Sequence, residues 1–165
     1  MENPELQNDQ EMGSHLLRTI QPGLLGLMDG SVSTLAPLFA AAFATGSTHV
    51  AFLIGASAAT GAAISMAFAE GLSDDGVLTG RGHPVRRGAI TGLMTFVGGI
   101  LHTLPFLLAN FHHALYLAYI IVGIELIVIA FIRYKYMKMN FLLSVIQVVV
   151  GGVLVFFAGY IIGSA

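Results

Sequence analysis

Four ionisable residues lie within long apolar stretches of this sequence: Asp29, Glu70, His102 and Glu125. Met66 precedes Glu70 by four residues, so the two side chains share one face of a helix. Carboxylates bind hard divalent cations, and a thioether adds the softness that suits first-row metals such as Fe²⁺. We therefore predict a metal site formed by Asp29, Met66 and Glu70, whose carboxyl groups hold protons until a cation displaces them.

The remaining buried polar residues lie in the second half of the chain. Glu125 has only aliphatic neighbours on its own helix, and counting about 1.5 Å per residue puts it at the same depth as Gln147. We expect these two side chains to hydrogen-bond, with Glu125 protonated. His102 shares a helix face with Thr91 and Thr95, and both a proton relay and a structural hydrogen bond are open interpretations.

The elements that position these residues are predicted to be membrane-spanning helices. Hydrophobic residues make up 56% of the 165 residues and charged residues 10%, with a mean hydropathy of +0.83, which excludes a soluble globular domain. The absence of cysteine excludes thiol chemistry, and a net charge of −2 argues against nucleic acid as a partner. Five continuous apolar runs predict five spans, at about 24–46, 49–72, 88–110, 114–133 and 140–164.

The N-terminal segment is expected to lie outside the spans. Residues 1–13 are polar and acidic and predict a disordered tail. Ser14 is a candidate N-cap for a short interfacial helix that Pro22 and Gly23 would end. These boundaries divide the chain into a tail with an interfacial helix, 1–23, and a five-span transporter domain, 24–165.

The basic residues fix the predicted orientation. All seven Lys and Arg residues precede span one or lie between spans two and three or spans four and five. Because basic residues are retained on the cytoplasmic side, this arrangement predicts a cytoplasmic N-terminus.

Two motifs in the first two spans resemble those of a known family. The run Asp29-Gly-Ser-Val-Ser-Thr-Leu-Ala and the run Ile64-Ser-Met-Ala-Phe-Ala-Glu70 resemble the first-span and second-span motifs of the vacuolar iron transporter family. The stretch from Gln21 to about Arg87 resembles most closely the transporter half of bacterial membrane-bound ferritin fusions. The resemblance implies a homodimer packed through spans one and two that exports Fe²⁺, or Mn²⁺, in exchange for protons. It also implies that Asp29 and Met66 are pathway ligands and that Glu70 is a ligand at the cytoplasmic mouth.

The chain departs from that family in three ways. Ala58 stands where some members carry a pathway glutamate. The loop from Ser73 to Arg87 is short, and its candidate metal-gathering residues are Asp74, Asp75 and His83. The two aspartates could equally pair with the arginines of the same loop, at positions 81, 86 and 87. The chain also has only about twenty residues where the fusions carry a ferritin-like domain, so a separate ferritin-like partner is possible.

These features favour a multi-pass transporter of the bacterial cytoplasmic membrane with no permanently bound cofactor. Its expected partners are a second copy, membrane lipid, divalent metal ions and protons. Metalloprotease and nucleophile-elbow motifs are absent from the sequence, which argues against an enzyme. A manganese transporter of the same fold and a non-transporting membrane scaffold, in which Asp29 and Glu70 only fix helix pairing, are the alternatives.

Overall fold

The computed structural model of the protein describes residues 11–165, and all regular structure in that range is helical. A π-helical turn, Leu16–Ile20, precedes the first long helix, and a 3₁₀ turn, Leu104–Leu107, precedes the fifth. The six long helices are α1 (Gln21–Ser33), α2 (Leu35–Thr45), α3 (Thr48–Gly71), α4 (Pro84–Leu101), α5 (Phe111–Met137) and α6 (Phe141–Ser164).

Short polar residues start three of these helices. Ser47, Asn110 and Asn140 each precede a helix, and each side-chain oxygen accepts a hydrogen bond from the backbone N–H three residues later. Gly46 ends α2 and Lys138 ends α5, both with positive φ angles of 60° and 54°. The connections α2–α3 and α5–α6 are therefore tight turns between antiparallel neighbours.

The N-terminal helix does not end where the sequence predicted. Residues 11–13 are already helical, and the Ser14 hydroxyl donates to the carbonyl of Glu11 within that helix, so Ser14 is not an N-cap. The helix continues through Pro22 and Gly23 into α1, and the prediction that they end it was wrong. Proline lacks an N–H, and here it follows the π-helical turn in which the backbone hydrogen-bond register changes. The rest of the predicted tail, residues 1–10, lies outside the described residues.

Span one is interrupted at Thr34, which separates α1 from α2. Its hydroxyl donates to the carbonyl of Gly30 at 2.8 Å, a hydrogen bond that competes with the regular helix ladder. The interruption is small, because the stretch Glu11–Thr45 still forms one candidate membrane span.

Helix α4 occupies the centre of the helix packing. Its buried residues, Arg87, Gly88, Thr91, Gly92, Thr95, Gly98 and Gly99, recur at helical spacing and are small except for the arginine. Gly30 of α1 lies against the backbone of Thr95, and Gly98 lies against Leu27 and Ser31, so α1 and α4 run parallel. On the opposite side of α4, its glycines contact residues of α3 in reverse order along the chain, so α3 runs antiparallel to α4.

Four stretches are long and apolar enough to cross a membrane: Glu11–Thr45, Thr48–Gly71, Phe111–Met137 and Phe141–Ser164. Helix α4 is not among them because its first turn carries Arg86 and Arg87 and its buried face carries glycine and threonine. It also ends at Leu101, well before the predicted end of span three at residue 110. In the five-span prediction, residues 102–110 would complete the crossing, and there Pro105 cannot continue a helical ladder. The count of five spans therefore stays a prediction.

Two apolar clusters form the core. One centres on Leu38, Phe39 and Phe106, and the other on Leu27 and Ile129. Between them along the chain lie Thr34, on the first span, and Glu125, on α5. The interior thus contains a polar layer between two apolar ones.

The seven basic residues gather at one end of the helices. Arg18 donates to the carbonyl of Gly80 in the α3–α4 loop, and His15 shares a surface cavity with Lys135 and Lys138. The opposite end carries the α2–α3 turn, residues 102–110 and the C-terminus. We refer to these two ends as the basic end and the far end.

Candidate metal centre

Asp29 and Met66 line the same cavity, between α1, α3 and α6. The cavity has a volume of about 430 Å³ and is otherwise lined by Leu25, Met28, Val32, Ser33, Gln147, Val148 and Gly151. Asp29 is half-buried and has no hydrogen-bond or ion-pair partner among residues 11–165. A carboxylate in such surroundings needs a proton or a cation to neutralise it.

Two methionines line the same cavity as this carboxylate. Met66 reaches the cavity from α3, and Met28 reaches it from α1 beside Asp29. The amide oxygen of Gln147, which also lines the cavity, accepts a hydrogen bond from Arg133. Ser33 adds a hydroxyl oxygen, so the cavity offers a carboxylate, a neutral oxygen and thioethers. This donor set suits a first-row divalent cation better than Mg²⁺ or Ca²⁺.

Glu70 does not line this cavity. It lies one helical turn beyond Met66, is 5% exposed, and accepts hydrogen bonds from Arg87 Nε at 2.9 Å and from Arg81. Of the three predicted ligands, Asp29 and Met66 therefore line one cavity, whereas Glu70 belongs to an ion-pair cluster at the basic end. Among residues 11–165, no three acidic or histidine side chains approach closely enough to hold a metal ion.

Arg87 is the centre of that cluster. Its side chain is 1% exposed and bonds to Glu70, Ser73, Asp74 and the carbonyl of Gly82. The sequence analysis treated Arg87 as one of the basic residues that set the orientation and as one candidate partner of the loop aspartates, and it missed the burial of this side chain. The available signal was its helical register with the small residues of α4.

The loop residues Asp74, Asp75 and His83 do not converge. Asp74 accepts from Arg81 at 3.1 Å and Arg87 at 3.3 Å, whereas Asp75 accepts from the backbone of Val77 and His83 is exposed. Of the two interpretations of Asp74, the structure shows the ion pair.

The ionisation of Asp74 follows from these contacts. Partial desolvation raises the pKa of its carboxyl group, but hydrogen bonds from Thr79 and Gly76 and the charges of Arg87 and Arg81 together lower the pKa below its ordinary value. Asp74 is therefore charged at neutral pH and holds the loop against α4.

The structure contradicts the predicted pair of Glu125 and Gln147. Glu125 Oε2 lies 2.9 Å from His102 Nδ1, while Gln147 Oε1 accepts from Arg133 at 2.8 Å. Equal depth along two helices did not fix which faces meet: Glu125 points inward to the end of α4, and Gln147 is exposed. The hydrogen bond expected as one interpretation of His102 is therefore present, with Glu125 as its partner.

The comparison with protein families bears on this arrangement. The family model described as the VIT family matches residues 71–164, more than half of the chain. The chain belongs to the VIT family. This confirms the resemblance to the vacuolar iron transporter family, and the closer likeness to ferritin fusions stays a prediction. No curated protein and no solved structure matches the chain.

Membership in the VIT family indicates a metal-ion transporter, and with the four apolar helices it indicates a multi-pass membrane protein. The matched range includes His102, Glu125 and Arg87 but begins after Asp29, Met66 and Glu70. The two motifs that carried the resemblance in the sequence therefore stand beside the family match as separate support.

Proposed function

We propose that this VIT-family chain exports Fe²⁺ from the cytoplasm in exchange for protons, with Mn²⁺ as the rival cargo. The observation that carries the proposal is the Asp29 carboxylate, which lines the same cavity as Met66 among apolar helices and has no partner among residues 11–165. An unpaired ionisable side chain among membrane helices costs free energy, and such side chains are typical of ion pathways.

The same carboxylate supplies the basis for exchange. A metal ion binds the deprotonated form, so a cation and a proton compete for Asp29. The thioethers of Met66 and Met28 add affinity for a first-row cation and none for a proton at neutral pH. Cytoplasmic Fe²⁺ would displace the proton, and a proton from the far side would later displace Fe²⁺.

A homodimer packed through spans one and two would complete the site. One chain supplies a single carboxylate to the cavity, fewer than a divalent cation usually takes. The outward face of α3 carries exposed small residues, Ser57, Thr60 and Gly61, which permit close helix approach in lipid. A second copy on this side would close the cavity and add ligands.

The direction of transport follows from orientation and resemblance. The basic end carries all seven Lys and Arg residues, so the positive-inside rule places it in the cytoplasm, most simply at a bacterial cytoplasmic membrane. Export is the direction that the resemblance implies. A ferritin-like partner at the basic end would supply Fe²⁺ to the mouth of the pathway.

The contacts of Glu70 favour the scaffold interpretation for this one residue, in which its carboxylate fixes helix pairing and does not bind metal. Its carboxylate is occupied by two arginines, as expected of a group that fixes helix pairing. Asp29 has no such partner in the described residues, which is why the transporter proposal rests on Asp29.

The first test compares Asp29→Asn with the unmodified protein in proteoliposomes that contain a pH indicator. We expect anaerobic Fe²⁺ uptake with proton movement, and a loss of at least tenfold in Asp29→Asn, because the amide cannot exchange a proton for a cation. Asp75→Asn, the same change in the exposed loop, is the matched control and should transport normally. Parallel assays with Mn²⁺ decide the cargo.

If folded, reconstituted protein moves neither metal, the scaffold alternative replaces the transporter. If Asp29→Asn transports as well as Asp75→Asn does, the cavity is not the pathway.

A further inference from the structure

A buried chain of hydrogen bonds crosses the middle of the molecule. The Thr34 hydroxyl lies 2.8 Å from His102 Nε2, and His102 Nδ1 lies 2.9 Å from Glu125 Oε2. Thr34 and His102 are completely buried, and Glu125 is 5% exposed. The second carboxyl oxygen of Glu125, Oε1, has no hydrogen-bond partner among residues 11–165.

The geometry leaves one movable proton in this chain. The Thr34 hydroxyl donates its hydrogen to the carbonyl of Gly30 at 2.8 Å, so it accepts from His102 Nε2, which must carry a hydrogen. Nδ1 and Glu125 Oε2 then share a single proton, whichever atom holds it. With that proton the pair has no net charge, and without it the pair carries −1.

The ionisable residues of the surrounding helices contribute no ion pair to this site within the described chain. α1 carries Asp29, α3 carries His49 and Glu70 near its two ends, and α6 carries Tyr160. α4 carries Arg86 and Arg87 in its first turn, and Arg87 is already paired with Glu70 and Asp74. The other ionisable residues of α5 are His112, His113, Tyr116, Tyr119, Arg133, Tyr134, Lys135 and Tyr136.

The pair is connected to the helix that carries the cavity. Thr34, at the break between α1 and α2, receives the His102 hydrogen bond and passes one to Gly30, the residue after Asp29. Thr34 follows Asp29 by five residues, an axial rise of about 7.5 Å. The hydrogen-bond chain thus begins on the helix that carries Asp29, and in a medium of low dielectric charges interact over more than one helical turn.

We propose that the His102–Glu125 pair is a proton-binding site of the exchanger, which releases its shared proton when a divalent cation binds in the Asp29 cavity. The inference rests on the proposed function. A divalent cation that displaces the Asp29 proton adds one net positive charge per occupied cavity, and loss of the pair's proton to solvent supplies one negative charge. By linkage, protonation of the pair favours release of the cation.

The test measures anaerobic Fe²⁺ affinity against pH in detergent. The slope of log Kd against pH counts the protons displaced per cation. We expect log Kd to fall by about two per pH unit for the unmodified protein, a slope of about −2, and by about one per pH unit for Glu125→Gln, whose amide imitates the protonated carboxyl. Glu11→Gln, the same change at an exposed position, should keep the slope of the unmodified protein. His102→Gln should also reduce the magnitude of the slope.

Equal slopes for Glu125→Gln and Glu11→Gln would overturn the inference and leave the proposed exchange intact. If the unmodified protein binds no Fe²⁺, the proposed function itself fails. If Glu125→Gln does not fold, infrared difference spectra of the unmodified protein with carboxyl-labelled glutamate decide the matter. A change in glutamate signals on Fe²⁺ binding supports the inference, and a change in aspartate signals alone overturns it.

Discussion

At the scale of single residues, three acidic side chains that look alike in the sequence have different surroundings. Glu70 is neutralised by arginines, Glu125 shares a proton with His102, and Asp29 has no partner among residues 11–165. A buried carboxylate that already has its counter-charge offers little to a cation, whereas one without a counter-charge is available to it. We therefore propose metal binding at Asp29 and helix anchoring at Glu70.

Arg87→Ala should destabilise the protein because it leaves Glu70 buried without its main partner. We expect a loss of about 3 kcal/mol in the free energy of unfolding, the usual cost of breaking a buried ion pair. Thermal unfolding in detergent measures the effect. Arg86→Ala, the exposed neighbour, is the control and should change stability little.

The double variant Glu70→Gln with Arg87→Met removes both charges and should recover much of the lost stability. Equal melting temperatures for Arg87→Ala and Arg86→Ala would show that the cluster does not anchor α3 to α4.

At the scale of elements, the approach of α1 to α4 brings the helix that carries Asp29 against the helix that ends before His102. The helices touch through glycine: a Cβ added at Gly30 would overlap the backbone of Thr95, and one added at Gly98 would lie 2.7 Å from the carbonyl of Leu27. This close packing holds Thr34 against His102, where α4 ends. The small residues of α4 are therefore as important to the proposed coupling as the ionisable residues.

Gly30→Ala should separate α1 from α4. We expect a loss of about 1–3 kcal/mol in stability, typical of overpacking, together with weaker coupling between metal binding and pH. Gly123→Ala on α5 is the matched control, because a Cβ there meets nothing within 4 Å. If both variants unfold at the same temperature, the packing of α1 on α4 is looser than described.

At the scale of the whole molecule, the structure separates a basic end from a far end. The α3–α4 loop lies at the basic end with Arg18, and the α2–α3 turn lies at the far end with the C-terminus. A crossing by α4 stays a prediction of this topology, because its composition is less apolar than that of the other helices. One face of α4 packs on protein through glycine and threonine, whereas Leu93 and Phe96 on the same helix are exposed.

Single cysteines can test this topology, because the chain has none of its own. A membrane-impermeant maleimide added to intact cells should label Ser47→Cys and Ala165→Cys at the far end. It should label Val77→Cys in the α3–α4 loop only after permeabilisation. Labelling of Ala165→Cys with the pattern of Val77→Cys would mean that the number of crossings is even, and the five-span prediction would be wrong.

Composition and residue spacing were sufficient to predict the class of the protein and most of its helices. Continuous apolar runs predict spans because lipid cannot satisfy an exposed backbone, and the clustering of basic residues predicts one common end. The spacing of Met66 and Glu70 correctly placed them on one helix. It could not show that Arg87, seventeen residues after Glu70, donates a hydrogen bond to the Glu70 carboxylate.

Which polar groups meet depends on how the helices pack in three dimensions. Depth along a helix follows from counting residues, but the rotation of a helix about its axis depends on all its neighbours. For this reason the predicted partner of Glu125 was wrong: Gln147 lies beside Arg133, and His102 fills the space at the end of α4. The continuation of the first helix through Pro22 likewise depended on a change of hydrogen-bond register that proline alone does not reveal.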